Sequence, residues 1–305
     1  MKNINYESRY SYHKTVNNYS WPILLDLHLH TTKSDGNLTP SQLIKLVDKT
    51  DLKVISITDH DNINGLIEAE KEVNARKNLT LINGIELSTK YNDKEIHLLG
   101  YFIDIKSKKL KNKIKEIKEG RIEFSKKIIS FLEKKKIFLS WEKIFTKTSG
   151  IVGRPHIAKS MIEKKYVSSM NEAFEKYLND EKIINMKKFS MDTYEAIDLI
   201  QSAGGISSIA HPKSIIDFNS ELKGFVNSGL SGIEVYAEKY QPKTQNSFIE
   251  LCKKYNLIPT GGTDYHANMN DNEMIPGMNG PPYETFEMLK DRAKSIHKKN
   301  IGQKI

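Results

Sequence analysis

The chain has 305 residues, enough for one large domain with an insertion or for two modest ones. Lysine plus arginine number 47 against 38 for aspartate plus glutamate, a net charge of +9 that favours an anionic partner; lysine is abundant throughout while arginine is scarce, so charge alone does not outline a phosphate-binding face. The single cysteine, Cys252, excludes a disulfide framework and a thiolate zinc site and reads as a buried small apolar residue, as expected of a cytoplasmic protein, and no run approaches the ~18 to 20 apolar residues that span a bilayer.

The segment 1–20 is polar, rich in Asn and Tyr, and lacks an apolar signal core, so it is expected to be a tail. From Trp21 to Asp104 short β-branched runs alternate with helical stretches. A strand runs to His30, a helix over about 40–50 with Thr39 as cap and Pro40 in its first turn, a strand over 53–58, a helix over 63–76, a strand over 79–83, and a hairpin-like pair that ends in the run His97-Leu98-Leu99-Gly100-Tyr101-Phe102-Ile103. From Lys106 the spacing changes to three and four. Leu110, Ile114, Ile117, Arg121, Phe124, Ile128 and Leu132 form the stripe of an amphipathic helix whose lysines are its solvated side, and Gly120 in its middle predicts a bend. Segments 155–166 and 171–178 also read as helical, so 105–190 is a helical insertion between a first α/β part, 21–104, and a second, 191–305. In the second part a helix over 193–203, a strand over 206–210, a strand over 232–236, a helix over 243–255 and a strand over 257–260 lead to the loop Gly261 to His266. Parallel strands joined by crossover helices, with polar residues at the strand ends, predict an α/β fold nearer a barrel than an open sheet.

Six of the nine histidines fall into an ordered series of acid and histidine motifs: His28 and His30 with Asp35, Asp59-His60-Asp61, Glu86 with His97, Ala210-His211-Pro212, and Asp264-Tyr265-His266. Residues two apart in a strand share a face, so His28 pairs with His30 and Asp264 with His266. Any one motif alone suits a hydrogen-bonded core histidine. Together, each following or ending a β-like run, they describe one cavity lined with imidazoles and carboxylates. That donor set suits zinc, manganese or iron, and it exceeds what one tetrahedral ion takes, so more than one ion is implied.

These motifs, with Asp26-Leu27-His28-Leu29-His30, Gly84-Ile85-Glu86 and Gly262-Thr263-Asp264, resemble the PHP (polymerase and histidinol phosphatase) superfamily over about residues 24–270. The segment Gly153-Arg154-Pro155-His156 within the insertion resembles that family's bacterial nucleoside 3′,5′-bisphosphate phosphatases and 5′-to-3′ exoribonucleases. Asn62, Asn83 and Thr263 depart from the usual pattern without changing a ligand type. The resemblance implies a distorted (β/α)7 barrel with a helical insertion subdomain, serving as lid, and three divalent ions, with Mn2+ favoured and Zn2+ or Fe2+ as alternatives. It implies that His28, His30, Glu86 and Asp264 hold one ion, that Glu86 bridges to a second held by His97 and His211, and that Asp35, His60 and His266 hold the third. The expected nucleophile is then a metal-bound water, with no side-chain nucleophile.

Asp59 is expected to orient a ligand histidine, and Asp61 to do the same or to cap its loop. Arg154 either starts a helix with Pro155 or clamps a second phosphate with His156 beside it; the clamp is favoured, and Lys213 is a weaker candidate for the same task. The expected substrate is a nucleotide or 5′-phosphorylated RNA, with no membrane and no obligate protein partner. Histidinol phosphate or another small metabolite is the alternative substrate, and a non-catalytic metal-binding module the more distant one.

Overall fold

Short strands buried on both faces set the architecture of the computed structural model, which describes residues 19–92, 94–146, 152–184, 190–212, 218–237, 240–268 and 273–302. β1 (Leu25–Leu29), β2 (Val54–Ile57), β6 (Ile206–Ile209) and β7 (Gly232–Tyr236) are buried at every position. Such strands need helices outside and a filled interior. Together with β3 (Thr80–Tyr91), β4 (Lys94–Tyr101) and β8 (Ile258–Gly261) they hydrogen-bond in the order β1-β2-β3-β4-β6-β7-β8. A bridge from Leu29 to Tyr265 brings the first strand to the residue run after the last, so the seven strands nearly close. The two-residue β5 (Met191–Asp192) pairs off this path with the outer end of β3. The fold is a distorted (β/α)7 barrel; the distortion is β4, antiparallel to both β3 and β6.

The helices are α1 (Pro40–Val47), α2 (Asn64–Asn74), α8 (Thr193–Ser202), α9 (Phe218–Asn227), α10 (Pro242–Tyr255) and α11 (Glu284–Gly302) around the barrel. Thr39 caps α1 with Gln42 in a reciprocal capping box and Pro40 in its first turn. Leu289 and Ala293 of α11 pack with Leu25, Leu27, Tyr101 and Ile258 in one cluster. Between β4 and β5 run α3 (Lys108–Lys134), α4 (Trp141–Thr146), α5 (Arg154–Glu163), α6 (Met170–Ala173), a π-helical turn at Phe174–Leu178, and α7 (Glu181–Ile184). No helix among the described residues is long and apolar enough to cross a membrane.

α3 is shared by two cores. Leu110 and Ile117, in its first half, join the main barrel core, whereas Ile128, Ile129 and Leu132 join a separate cluster with Ile144, Ile157, Met161 and Leu178. It is one continuous helix through Gly120, where packing on both halves outweighs the ~1 kcal/mol propensity cost of one glycine. The strand at 79–83 and the first strand of the hairpin are one twelve-residue β3. Gly84 permits this continuity: a Cβ there would lie 2.2 Å from Ser56 Oγ and 2.8 Å from Ile57 O, so the bare backbone lets β2 and β3 approach without a break. Gly84→Ala is therefore expected to force the strands apart and to cost about 1–3 kcal/mol, lowering both the thermal midpoint and the urea midpoint; an unchanged midpoint would mean the approach relaxes freely.

Candidate metal centre

The predicted ligands arrive at one end of the barrel from different strands. His28 lies in β1 and His30 one residue past its end, with ring centroids 5.1 Å apart. His60 follows β2, His211 follows β6, and Asp264 and His266 follow β8. Glu86 differs from the expected placement after a strand, lying inside β3, which continues past the cavity as one arm of the hairpin; His97 lies inside β4, the other arm. The chain turns sharply where it delivers these groups. Asp61, His211 and Asp264 have φ of 46°, 31° and 51°, a region sparse for non-glycine residues and occupied only where surroundings hold it.

Three groups of side chains have donor atoms within 4.8 Å of one another: His28, His30, Glu86 and Asp264; His30, Asp35, His60 and His266; and His60, Glu86 and His97. His211 joins the third through Glu86, whose Oε1 lies 2.9 Å from His97 Nδ1 and 3.1 Å from His211 Nε2. Glu86 Oε2 lies 3.2 Å from His28 Nε2, 3.2 Å from His30 Nε2 and 3.1 Å from His60 Nδ1. The donors suit divalent cations. His30 Nε2, also 3.1 Å from Asp264, and His60 Nδ1 and Asp35 Oδ1 are buried without a hydrogen-bond partner among the described residues. They converge on shared points instead of on one another. The spacings fit ligands about 2.0–2.2 Å from a common ion, which lie ~3–4 Å apart.

Burial opposes the charge on Glu86, Asp264 and Asp35, but the facing histidines outweigh it and hold all three well below the usual carboxylate range. Burial likewise disfavours charge on His97 and His266, and the carboxylates Glu86 and Asp264 reverse it, raising each to about 10. At His60 burial wins, lowering it to about 4. His97 and His266 are thus protonated at neutral pH when no cation faces them, and a cation must displace those protons. Metal uptake is expected to release protons, and apparent affinity to rise with pH up to about 10. Calorimetry in buffers of different ionisation enthalpy checks this; uptake with no buffer dependence would contradict it.

The supporting layer was partly invisible in the sequence. Glu234, fully buried in β7, accepts from His28 Nδ1 at 3.0 Å and from the His211 backbone N at 2.7 Å. It ties two ligand segments together. Its signal was a charged residue inside the apolar run Gly232 to Tyr236, which a buried strand does not carry without a partner. Asp26 accepts from Thr263 N at 3.0 Å and Thr263 Oγ1 at 2.7 Å, fixing β1 to the turn before Asp264; burial raises it to about 7. Asp59 accepts from Thr31 N, Thr31 Oγ1 and Ser34 Oγ, each at 2.7 Å, so it shapes the loop between His30 and Asp35, and Ser34 Oγ lies 3.5 Å from His30 Nδ1. Asp61 accepts from Ser88 N at 3.0 Å and is ion-paired to Arg121 of α3, which also donates to Ser88 Oγ at 2.7 Å. Arg121, read as one position of an apolar stripe, ties the insertion to the barrel beside the metal-ligand cluster. Cys252 is buried, which pushes its thiol up to about 12.

Arg154 opens α5 with its guanidinium over the Phe174 ring, 5.8 Å from the centroid. Such stacking uses the flat face and leaves the in-plane N–H groups for other acceptors. His156 accepts from Gly153 N at 3.1 Å; burial lowers its pKa although Asp35 acts the other way. Lys213 lies outside the described residues. Glu234→Gln, which keeps the shape but weakens both contacts, is expected to lower metal affinity 10- to 100-fold, as outer-shell partners of ligand histidines do. Competition against a chelator measures it; unchanged affinity would reduce Glu234 to a packing role.

A family model described as PHP domain matches residues 26–192. The chain is 32% identical over 256 residues to a 5′-3′ exoribonuclease of Haemophilus influenzae, covering 79% of this chain and 89% of that one. It is 28% identical over 256 residues to a 3′,5′-nucleoside bisphosphate phosphatase of Chromobacterium violaceum, covering 80% and 87%. A crystal structure of a protein from Bifidobacterium adolescentis superposes with a TM-score of 0.80 at 24% identity, over 88% of this chain and 96% of that one, a likeness of fold.

Proposed function

The chain belongs to the PHP domain family, and from that premise we propose that it is a metal-dependent phosphoesterase of nucleotide substrates, acting as a 5′-to-3′ exoribonuclease, a nucleoside 3′,5′-bisphosphate phosphatase, or both. The observation that carries the chemistry is the convergence of His28, His30, Asp35, His60, Glu86, His97, His211, Asp264 and His266 on shared points with orphaned buried nitrogens among them. In this reading they hold three divalent ions, manganese in preference to zinc or iron. Such ions, when bound, supply a water acidic enough to attack phosphorus and positive charge against the phosphoryl oxygens.

The chain's own groups do the rest. Glu86, with two oxygens facing different histidines, is the bridging carboxylate, a role no imidazole can take. Glu234 holds the His28 ring and the His211 backbone in place. Asp61 and Arg121 tie the insertion to the residue after His60. Helices of the segment 105–190 act as a lid, and Arg154 with His156 receives the phosphate that is not cleaved.

The assay that tests this offers the purified protein with Mn2+ three substrates side by side: adenosine 3′,5′-bisphosphate, 5′-phosphorylated oligoribonucleotides and histidinol phosphate. Turnover of the last alone would move the enzyme to small metabolites. A charge-assisted bidentate contact is worth about 1.5–3 kcal/mol, and lysine cannot reproduce its fork. Arg154→Lys is therefore expected to lower kcat/KM on the bisphosphate about ten- to a hundred-fold while sparing p-nitrophenyl phosphate; equal losses on both would place Arg154 at the reacting phosphate.

A further inference from the structure

A cleft of about 410 Å³ lies between the loop after β1 and the helices of the insertion, within the ~300 to 1,000 Å³ range of ligand sites. One wall carries Ser34, Gly36 and Asn37, the neighbours of Asp35; the other carries Lys143 of α4, His156 and Lys159 of α5, and Lys164 just beyond it. The cleft therefore shares a wall with the metal centre. Asp35 turns its carboxylate toward His266, at 3.3 Å, and its carbonyl toward Lys159 Nζ, at 3.5 Å.

Several exposed lysines elsewhere are paired with carboxylates: Lys109 with Asp198, Lys135 with Asp180, Lys176 with Glu172, Lys253 with Glu250. Here the hydrogen bonds of Lys159 go to the Asn37 amide oxygen at 3.1 Å and the Asp35 carbonyl, and that of Lys164 goes to the Phe138 carbonyl at 2.8 Å. Neutral oxygens orient an ammonium without cancelling its charge. Among the described lining residues there is one carboxylate, Glu163, against three lysines. A cationic wall in which Lys159 and Lys164 are oriented by neutral oxygens is complementary to a chain of phosphodiesters, whose repeat places a negative charge at every nucleotide.

We propose that this cleft is the track for the RNA chain beyond the nucleotide held at the metal centre, with Lys143, Lys159 and Lys164 taking its phosphodiesters. The proposal rests on the nucleotide phosphoesterase reading and extends it: a single nucleotide ends at the metal centre, whereas an oligonucleotide continues along the insertion. It also gives the lid a chemical task, since all three lysines belong to it.

The test uses Lys143→Gln/Lys164→Gln, which removes two exposed charges and leaves Lys159 holding its loop. A fluorescent tetraribonucleotide with hydrolysis-resistant linkages is titrated onto the Mn2+-loaded protein at several salt concentrations. The double variant is expected to bind it about tenfold more weakly at low salt, and the slope of log affinity against log salt is expected to fall by about 1.4, or ~0.7 per phosphate released. The ratio of kcat/KM for the cleavable tetranucleotide over the mononucleotide bisphosphate should fall by about the same factor. Wild-type affinity and salt slope in the variant overturn the proposal, and so does an equal loss on both substrates, which would assign the lysines to the first nucleotide. A wild-type protein that binds the tetranucleotide with this salt dependence but hydrolyses neither substrate would instead overturn the phosphoesterase reading and leave the track standing. Thermal melting of both proteins controls for folding.

Discussion

One buried carboxylate organises the functional end of this molecule. Glu86 is fully buried, yet its two oxygens face five imidazoles, His28, His30 and His60 on one and His97 and His211 on the other. Those histidines come from β1, the ends of β2 and β6, and β4, so a single side chain collects half the barrel. A carboxylate in such a place is too costly to leave uncompensated, and within the protein the offset comes from histidines held protonated, such as His97. Divalent ions relieve the same imbalance more completely, because each supplies two charges where a histidine supplies one. The barrel thus presents a cavity whose electrostatics favour cations before any substrate arrives.

Holding that carboxylate in position needs a rigid frame, and the frame is built from other buried polar groups. Glu234, Asp26 and Asp59 each join segments, β7 to β1 and β6, β1 to the turn before Asp264, and the loop after β1 to the end of β2. Glu234 holds a ligand ring directly, whereas Asp26 and Asp59 fix the backbone that carries the ligands. The left-handed backbone at His211 and Asp264 fits the same scheme, since strain at a strand end persists only where neighbours over-determine it.

The insertion is tied to this frame instead of hinging freely from it. α3 contributes apolar residues to both cores, and at the junction between them Arg121 reaches the Asp61 carboxylate beside His60. An insertion anchored this way sets the distance between its lysines and the metal-ligand cluster; in the reading proposed above, it would sense substrate length while the barrel carries the chemistry.

The convergence of the candidate ligand residues and the α/β class were legible in the sequence, because strand periodicity places His28 with His30 and each acid or histidine motif lies in or after a β-like run. The long amphipathic stripe from Leu110 to Leu132 was legible for the same reason, as periodicity is local. What the sequence could not carry were relations between distant segments. β3 and β4 run past the cavity instead of stopping at it, since Gly84 admits β2 at a distance no side chain allows. Glu234 lies 206 residues from the histidine it holds, and Arg121 60 residues from its aspartate. The cationic cleft joins a loop at residues 32–37 to helices more than a hundred residues later. The sequence by itself determined which residues could bind metal and which strands would carry them, because donor chemistry and alternation are local properties. The tertiary structure alone decided which acids support them and where the lysines of the cleft gather, because buried charge is settled by neighbours in space.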